Sequence, residues 1–278
     1  MAISNFIPTI WSENLYSALN NQYVAVANCN RDFEGEIRNR GSVVKICGVG
    51  KINVEDYTKD TDMSTPQALS DTVVELTIYQ AKYFNFQIDD IDKVQCSPKL
   101  LDAAMKVAAN SLANEADKYI YGLYTEVSDI ITCDAATPDN ILDTILACRQ
   151  RLYENNVFDS SDIVIEVSPA VASVILKAKI DLATDNYEAL EHGCIGSIGG
   201  CKIFVSSNIC NEPDGSTAYY KCLVRTKRAI AFAEQLSEID AYRPEKRFAD
   251  AVKGLHLYGA KIVYPQEIVT MEIGIPAL

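Results

Sequence analysis

The residues of this chain that could do chemistry are few, and most are poorly spaced for it. The most suggestive run is Gly193-Cys194-Ile195-Gly196-Ser197-Ile198-Gly199-Gly200, glycine-rich in the manner of a loop that wraps phosphate. A dinucleotide fingerprint needs G-x-G-x-x-G between a strand and a helix, so that backbone N–H groups close on the pyrophosphate. Here the spacing differs, and a strand-like run, Lys202 to Ser206, follows instead of a helix. The segment reads as a turning loop, since glycine takes positive φ readily. Asp89, Asp90 and Asp92 suggest a cation site, but the alternating acids, central glycine and closing Glu of an EF-hand are missing. They read as an acidic turn just before a helix start, where negative charge is mildly favoured. His192 and His256 are the only histidines, neither in an H-E-x-x-H frame, and there is no G-x-S-x-G elbow or P-loop lysine. The nine cysteines are Cys29, Cys47, Cys96, Cys133, Cys148, Cys194, Cys201, Cys210 and Cys222, with no C-x-x-C pair to hold zinc or exchange disulfides. They are expected as reduced thiols packed as small apolar side chains. Carboxylates are plentiful, but no pair stands out. The sequence nominates no catalytic, cofactor-binding or metal-ligating residue.

The elements around these positions are better defined. Ile10, Trp11, Leu15, Leu19, Tyr23 and Val26 recur at helical steps from a cap near Ser12, predicting an amphipathic arm helix. Its stripe needs a surface, either its own core or a neighbouring subunit. Residues 31 to about 60 are turn-rich and charged, with a strand-like run from Ser42 to Val49. Val74, Leu76, Ile78, Phe84, Phe86 and Ile88 then alternate with more polar positions, the period of half-buried strands. With the polar stretch Asp60 to Ala68 between them, the two runs predict one long projecting hairpin. Ser97 and Pro98 open a helix running to about Tyr124. Its stripe is Leu101, Met105, Ala108, Leu112, Ala116, Tyr119 and Leu123, on a rod of about 39 Å.

Thr137-Pro138 and Ser168-Pro169 give the same start signal to two further helices, carrying Ile141, Ile145, Cys148 and Leu152 and then Val171, Val174, Ile175 and Ala178. Short β-rich runs at Ile163 to Val167, Lys202 to Ser206, Tyr220 to Val224 and Arg228 to Ala233 predict an α/β subdomain of mixed strand direction over about 130–235. The remainder, Leu236 to Leu278, is largely extended, with Ile262-Val263-Tyr264-Pro265 and Ile268-Val269-Thr270-Met271-Glu272-Ile273-Gly274 as its clearest strands. Of the 15 tyrosines, Tyr119, Tyr121 and Tyr124 lie close together and suit either packing or a protein contact.

Composition narrows the classes. With 48% hydrophobic and 23% charged residues, the 278-residue chain can bury a substantial core. No apolar run reaches the roughly 18–20 residues that span a bilayer. The first thirty residues hold no Lys or Arg and one acid, Glu13, so an intracellular product is expected. A net charge of −13 disfavours sequence-independent binding to nucleic acid, which needs cations to displace counterions, but not a wall that encloses it.

In this order the parts resemble the major capsid protein of tailed bacteriophages with the HK97-type fold. The resemblance is carried by Asn30-Arg31-Asp32-Phe33-Glu34-Gly35-Glu36, by Lys82-Tyr83-Phe84-Asn85-Phe86-Gln87-Ile88-Asp89-Asp90-Ile91-Asp92, by Phe248-Ala249-Asp250-Ala251-Val252-Lys253-Gly254-Leu255 and by Tyr258-Gly259-Ala260-Lys261-Ile262. It implies an α+β fold: an N-terminal arm (1–34), an extended β-hairpin loop (35–88), a peripheral domain with the long spine helix (89–129 and 236–278) and an axial α/β domain (130–235). It places Gly193 to Gly200 in the axial domain. It implies a shell subunit, not an enzyme, joining copies of itself into pentamers and hexamers around double-stranded DNA without sequence-specific binding. No cofactor and no membrane are involved; the location is the virion, assembled in the host cytoplasm, and a portal is a further partner. Members often carry a cleaved N-terminal scaffolding extension; this chain starts almost at its arm, so a separate scaffolding protein is expected. The Lys, Asn and Glu of the isopeptide cross-link in one branch of the family cannot be placed here. Two other readings stand beside it: an encapsulin-like compartment of the same fold, and a small α/β enzyme using carboxylates of the 130–235 segment.

Overall fold

Runs of period two become strands and runs of helical period become helices in the computed structural model, which describes residues 15, 18–20, 22–33, 43–49, 56, 59, 62, 65, 71–89, 100–157, 162–178, 194–245 and 249–276. After helical backbone at residues 15 and 18–20 and a 3-10 turn at Val26–Asn28, β1 (Val43–Val49) pairs antiparallel with β2 (Asp71–Thr77). β3 (Gln80–Asp89) leads towards the long helix α1 (Leu100–Gly122), which ends in a 3-10 turn, Leu123–Glu126. Then come β4 (Ile130–Cys133), α2 (Ile141–Glu154), β5 (Ile163–Val167), α3 (Pro169–Lys177), β6 (Cys194–Ile198), β7 (Cys201–Val205), β8 (Asn211–Asp214), β9 (Thr217–Thr226), β10 (Ile230–Tyr242), β11 (Ala249–Ile262) and β12 (Ile268–Pro276).

The strands form a two-stranded ribbon β1-β2, a three-stranded antiparallel sheet β10-β11-β3 and a seven-stranded mixed sheet β4-β12-β9-β5-β7-β6, with β8 also on β9. In the mixed sheet, β12–β4 and β5–β7 run parallel and the remaining pairs antiparallel. One apolar core joins the arm, α1, α2, α3 and strands of both larger sheets: Leu15, Leu19, Tyr23, Leu112, Ile145, Ile165, Val224, Phe232 and Tyr258 all belong to it. Burying Leu15, Leu19 and Val26 contributes about 1.5–3 kcal/mol each, so the described part of the arm stripe lies on its own core. Ile10, Trp11 and Ser12 lie outside the described residues.

Local signals place most helices. Ser168 caps α3, its Oγ accepting the N–H of Val171 at 3.3 Å, with Pro169 in the first turn. Ile141, Ile145, Cys148 and Leu152 form the buried face of α2. That helix starts at Ile141, later than Thr137-Pro138 suggests, because Asn140 Oδ1 accepts the Thr137 N–H at 2.8 Å and folds the dipeptide into a preceding turn. Ser97 and Pro98 lie outside the described residues.

Two strands have neighbours that the sequence pattern does not indicate. β3 is not the return arm of the projecting hairpin: it pairs along β11, from Asp89 opposite Ala249 to Gln80 opposite Tyr258. β12 lies in the seven-stranded sheet between β9 and β4, apart from the other C-terminal strands. A period of two fixes which side chains share a face but not which strand lies alongside. Ile262-Val263-Tyr264-Pro265, expected as a strand, is the end of β11 running into a 3-10 turn at Pro265–Glu267.

Candidate functional site

Gly196 to Gly200 is a β-hairpin and no phosphate cradle. β6 and β7 are joined by Gly199 and Gly200 alone, at φ 57° and 86°, the conformation a tight two-residue turn requires. Gly193 and His192 lie outside the described residues, as do Asp90 and Asp92, while Asp89 ends β3. Among the described residues no group of three or more His, Cys, Asp or Glu could hold a metal ion. Cys29, Cys148, Cys201 and Cys222 are buried and free. Burial pushes Cys29 up to about 11 and Cys148 and Cys222 up to about 12, so these thiols stay protonated and inert at neutral pH. Cys133 and Cys210 are free and partly exposed; the side chains of Cys47, Cys96 and Cys194 lie outside the description. Tyr119 stacks edge-on against Tyr258, Tyr121 is buried, and Tyr124 donates to Glu212 at 2.7 Å.

Two buried centres of converging polar groups lie around the arm, while Lys221 with Glu212 and Glu272, and Glu267 with Thr226 and Arg228, tie elements of the body to one another. The arm's 3-10 turn has no side-chain cap of its own. Asp117, projecting from α1, accepts the N–H groups of Val24, Ala25 and Val26 at 3.0, 3.0 and 3.1 Å. At the other end Arg225, from β9, donates to the carbonyls of Ala25 at 3.0 Å and Asn28 at 2.5 Å. The positive end of the turn thus faces a carboxylate and its negative end a guanidinium, each supplied by a different element of the body. Arg225 also grips Glu166 of β5 through two bonds, 3.1 and 3.0 Å, and both side chains are fully buried. Glu166 lies opposite Leu223 and Arg225 opposite Val164, so the pair is a diagonal neighbour across the two strands. Burial raises the Glu166 carboxyl, against the pull of Arg225. Burial likewise pushes Asp117 up to about 7, against the backbone N–H bonds it accepts.

A second centre holds the end of the arm. Asn30 bridges to β10, its N–H donating to Ile230 O at 2.9 Å and its O accepting from Phe232 N at 2.8 Å. Glu234 of β10 then receives Arg31 at 2.6 Å, the Tyr23 hydroxyl, and Nε2 of the buried His256 at 2.8 Å. The run Asn30-Arg31-Asp32 therefore fastens the arm, with Asp32 N–H closing on Asn30 Oδ1 at 2.9 Å. Each buried charge in both centres is engaged by a structural partner, with Arg31 reaching Glu234 from a partly exposed position. The arrangement can hold a segment in place; it offers no open site for a substrate.

The β1-β2 ribbon is the exposed counterpart. Its inner face, Val44, Ile46, Leu76 and the adjoining Ile78, packs on Ala231, Ala233 and Leu257. Its outer face carries Lys45 and Glu75, 3.7 Å apart, with Val43 and Val73 remaining 48% and 45% exposed.

No protein-family model and no curated protein matches the sequence. Solved structures do. A structure from Mycobacterium phage Che8 is 29% identical and superposes with a TM-score of 0.70 over 90% of this chain and 91% of that one. The capsid of Ralstonia phage GP4 is 10% identical, with a TM-score of 0.66 over 87% and 85%. The virus-like particle from Pyrococcus furiosus is 12% identical, with a TM-score of 0.56 over 95% and 99%. The chain has the HK97-type fold of phage capsid proteins.

Proposed function

We propose that this protein is the shell subunit of a tailed-phage head, self-assembling into pentamers and hexamers around packaged double-stranded DNA. The observation that carries the reading is the full-length likeness to the Che8 phage structure, at higher identity and TM-score than the likeness to the archaeal particle. The two buried charge centres at the arm support it, since among the described residues they fasten that segment and form no open cleft.

On this reading β1 and β2 belong to the extended loop, α1 with β3, β10 and β11 to the peripheral domain, and the seven-stranded sheet with α2 and α3 to the axial domain. The ribbon's outer face meets a neighbouring subunit. The net charge of −13 keeps the wall from adhering to the DNA it encloses. Further copies of the chain are the main partners, with a portal and a scaffolding protein completing assembly in the host cell.

Expression of the full chain, alone and with the scaffolding protein of its gene neighbourhood, and then electron microscopy of the product, tests this. Uniform closed shells are expected. Small soluble particles under all conditions would overturn it, and shells housing a specific enzyme instead of DNA would favour a cargo compartment.

A further inference from the structure

The pairing of β3 with β11 stops at Gln80 opposite Tyr258, and the next residue of β11 is Gly259. At that point the chain crosses over β11 and becomes the β1-β2 ribbon. A Cβ on Gly259 would lie 2.6 Å from the Thr77 carbonyl oxygen and 3.3 Å from Ile78 Cα. Gly259 is not among the glycines with positive φ, so its backbone conformation does not call for glycine; the close crossing does. Its partner on β10 is Ala233, and Ala231 lies two residues along, both packed under the ribbon. At the crossing, beside Leu257, the ribbon therefore rests on residues with little or no side chain.

We infer that Gly259, with Ala231 and Ala233, is the seat that fixes the angle at which the ribbon leaves the body, and so sets the spacing between neighbouring subunits. The second clause rests on the shell reading; the first does not. A methyl group at Gly259 falls about 0.8 Å short of ordinary van der Waals contact at 3.4 Å. β11 is hydrogen-bonded to β10 through Gly259 and to β3 up to Tyr258, whereas the ribbon is held from one side. The ribbon is the part that gives. Spread over a seat of ~5–10 Å, the displacement tilts a seven-residue strand of about 23 Å so that its far end moves by ~2–4 Å.

The test uses the full chain and its Gly259→Ala variant, with Gly122→Ala as control because no atom lies within 4 Å of that position. Spin labels on noncanonical residues replacing Val49, at the ribbon's far end opposite Asp71, and Lys227 report the ribbon's position in unassembled subunits. Electron microscopy reports shell diameter. Expected for G259A are a label distance shifted by ~2–4 Å and shells of altered or mixed diameter, with the control unchanged in both. An unchanged label distance overturns the seat. A shifted distance with shells of wild-type diameter overturns its role in spacing. If the wild type forms no shells, the shell reading fails while the label distances still decide the seat. Should G259A not fold, Ala233→Ser provides a milder intrusion under the same ribbon, with the same outcomes.

Discussion

Arg225 and Glu166 show what a charged residue inside an apolar strand signifies. The runs Ile163-Val164-Ile165-Glu166-Val167 and Cys222-Leu223-Val224-Arg225 each carry one charge, and opposite signs in two such strands were a legible hint of a buried pair. What the sequence could not reveal is that the pair also grips the arm, because Asn28 and Ala25 contribute only main-chain carbonyls and Asn28 Nδ2. Truncating Arg225 alone to Met leaves Glu166 buried and unpaired, with an expected loss of about 3–5 kcal/mol in the stability of the unassembled subunit, read from its denaturation midpoint. The double variant Arg225→Met, Glu166→Met should lose clearly less than the sum of the single changes; additive losses would show that the pair is not coupled. Asp117 makes a prediction in pH. Its folded value of about 7 lies above the ordinary 3.8, so the folded chain keeps a proton that the unfolded chain releases. The stability this group contributes is complete below pH 3.8 and is lost as pH rises towards about 7. Asp117→Asn removes the titration. The stability difference between wild type and variant should therefore move against the wild type from about pH 4.5 to 7 and level off above it; parallel curves would refute the assignment.

At the scale of elements, period and caps were informative and pairing was not. The apolar face of α2 and the cap of α3 could be read directly from Ile141, Ile145, Cys148 and Leu152 and from Ser168-Pro169. On α1 the buried face includes Met105, Ala109, Leu112, Ala113, Ala116, Asp117, Ile120 and Tyr121, whereas Ala108 and Tyr119 are only partly covered. The face lies to one side of the expected stripe because the arm covers that side, and its buried Asp117 looks polar and solvent-facing to any hydrophobic count. β3 and β12 were legible as strands, but their neighbours were not, since edge-to-edge pairing depends on chain paths that period alone leaves open. The β8-β9 hairpin offers a test of where the fold tolerates change. β8 is exposed throughout, and the turn glycine Gly215, at φ 61°, has no atom within 4 Å of a would-be Cβ. A short Gly-Ser insertion after Gly215 should shift subunit stability by no more than about 0.5 kcal/mol. The same insertion between Gly199 and Gly200 should cost more, because it opens a two-residue turn packed against Arg149. Equal melting shifts would contradict this ranking.

For the whole molecule the proposed shell raises the question of how a subunit with an exposed ribbon would build a large closed assembly. The arm does not supply a loose tether in its described part. Leu15, Leu19 and Tyr23 are buried in the subunit's own core, and two charged centres fasten residues 24–31. The ribbon differs: its inner face is seated and its outer face leaves Val43 and Val73 about half exposed. In the proposed shell, closed symmetry would repeat any contact these residues make at every subunit, so a modest change per contact would be multiplied. Val43→Asp and Val73→Asp lie on a solvent-facing strand surface and should alter subunit stability by no more than about 1 kcal/mol. A loss of about 1 kcal/mol in each intersubunit contact corresponds to roughly fivefold in that contact's equilibrium constant, and a subunit makes several. The double variant should therefore remain folded by circular dichroism and melting while the concentration needed for shell formation rises by about fivefold or more. Assembly at the wild-type concentration would show that the outer ribbon face is not an intersubunit contact, and loss of the melting transition would show that it belongs to the subunit core instead.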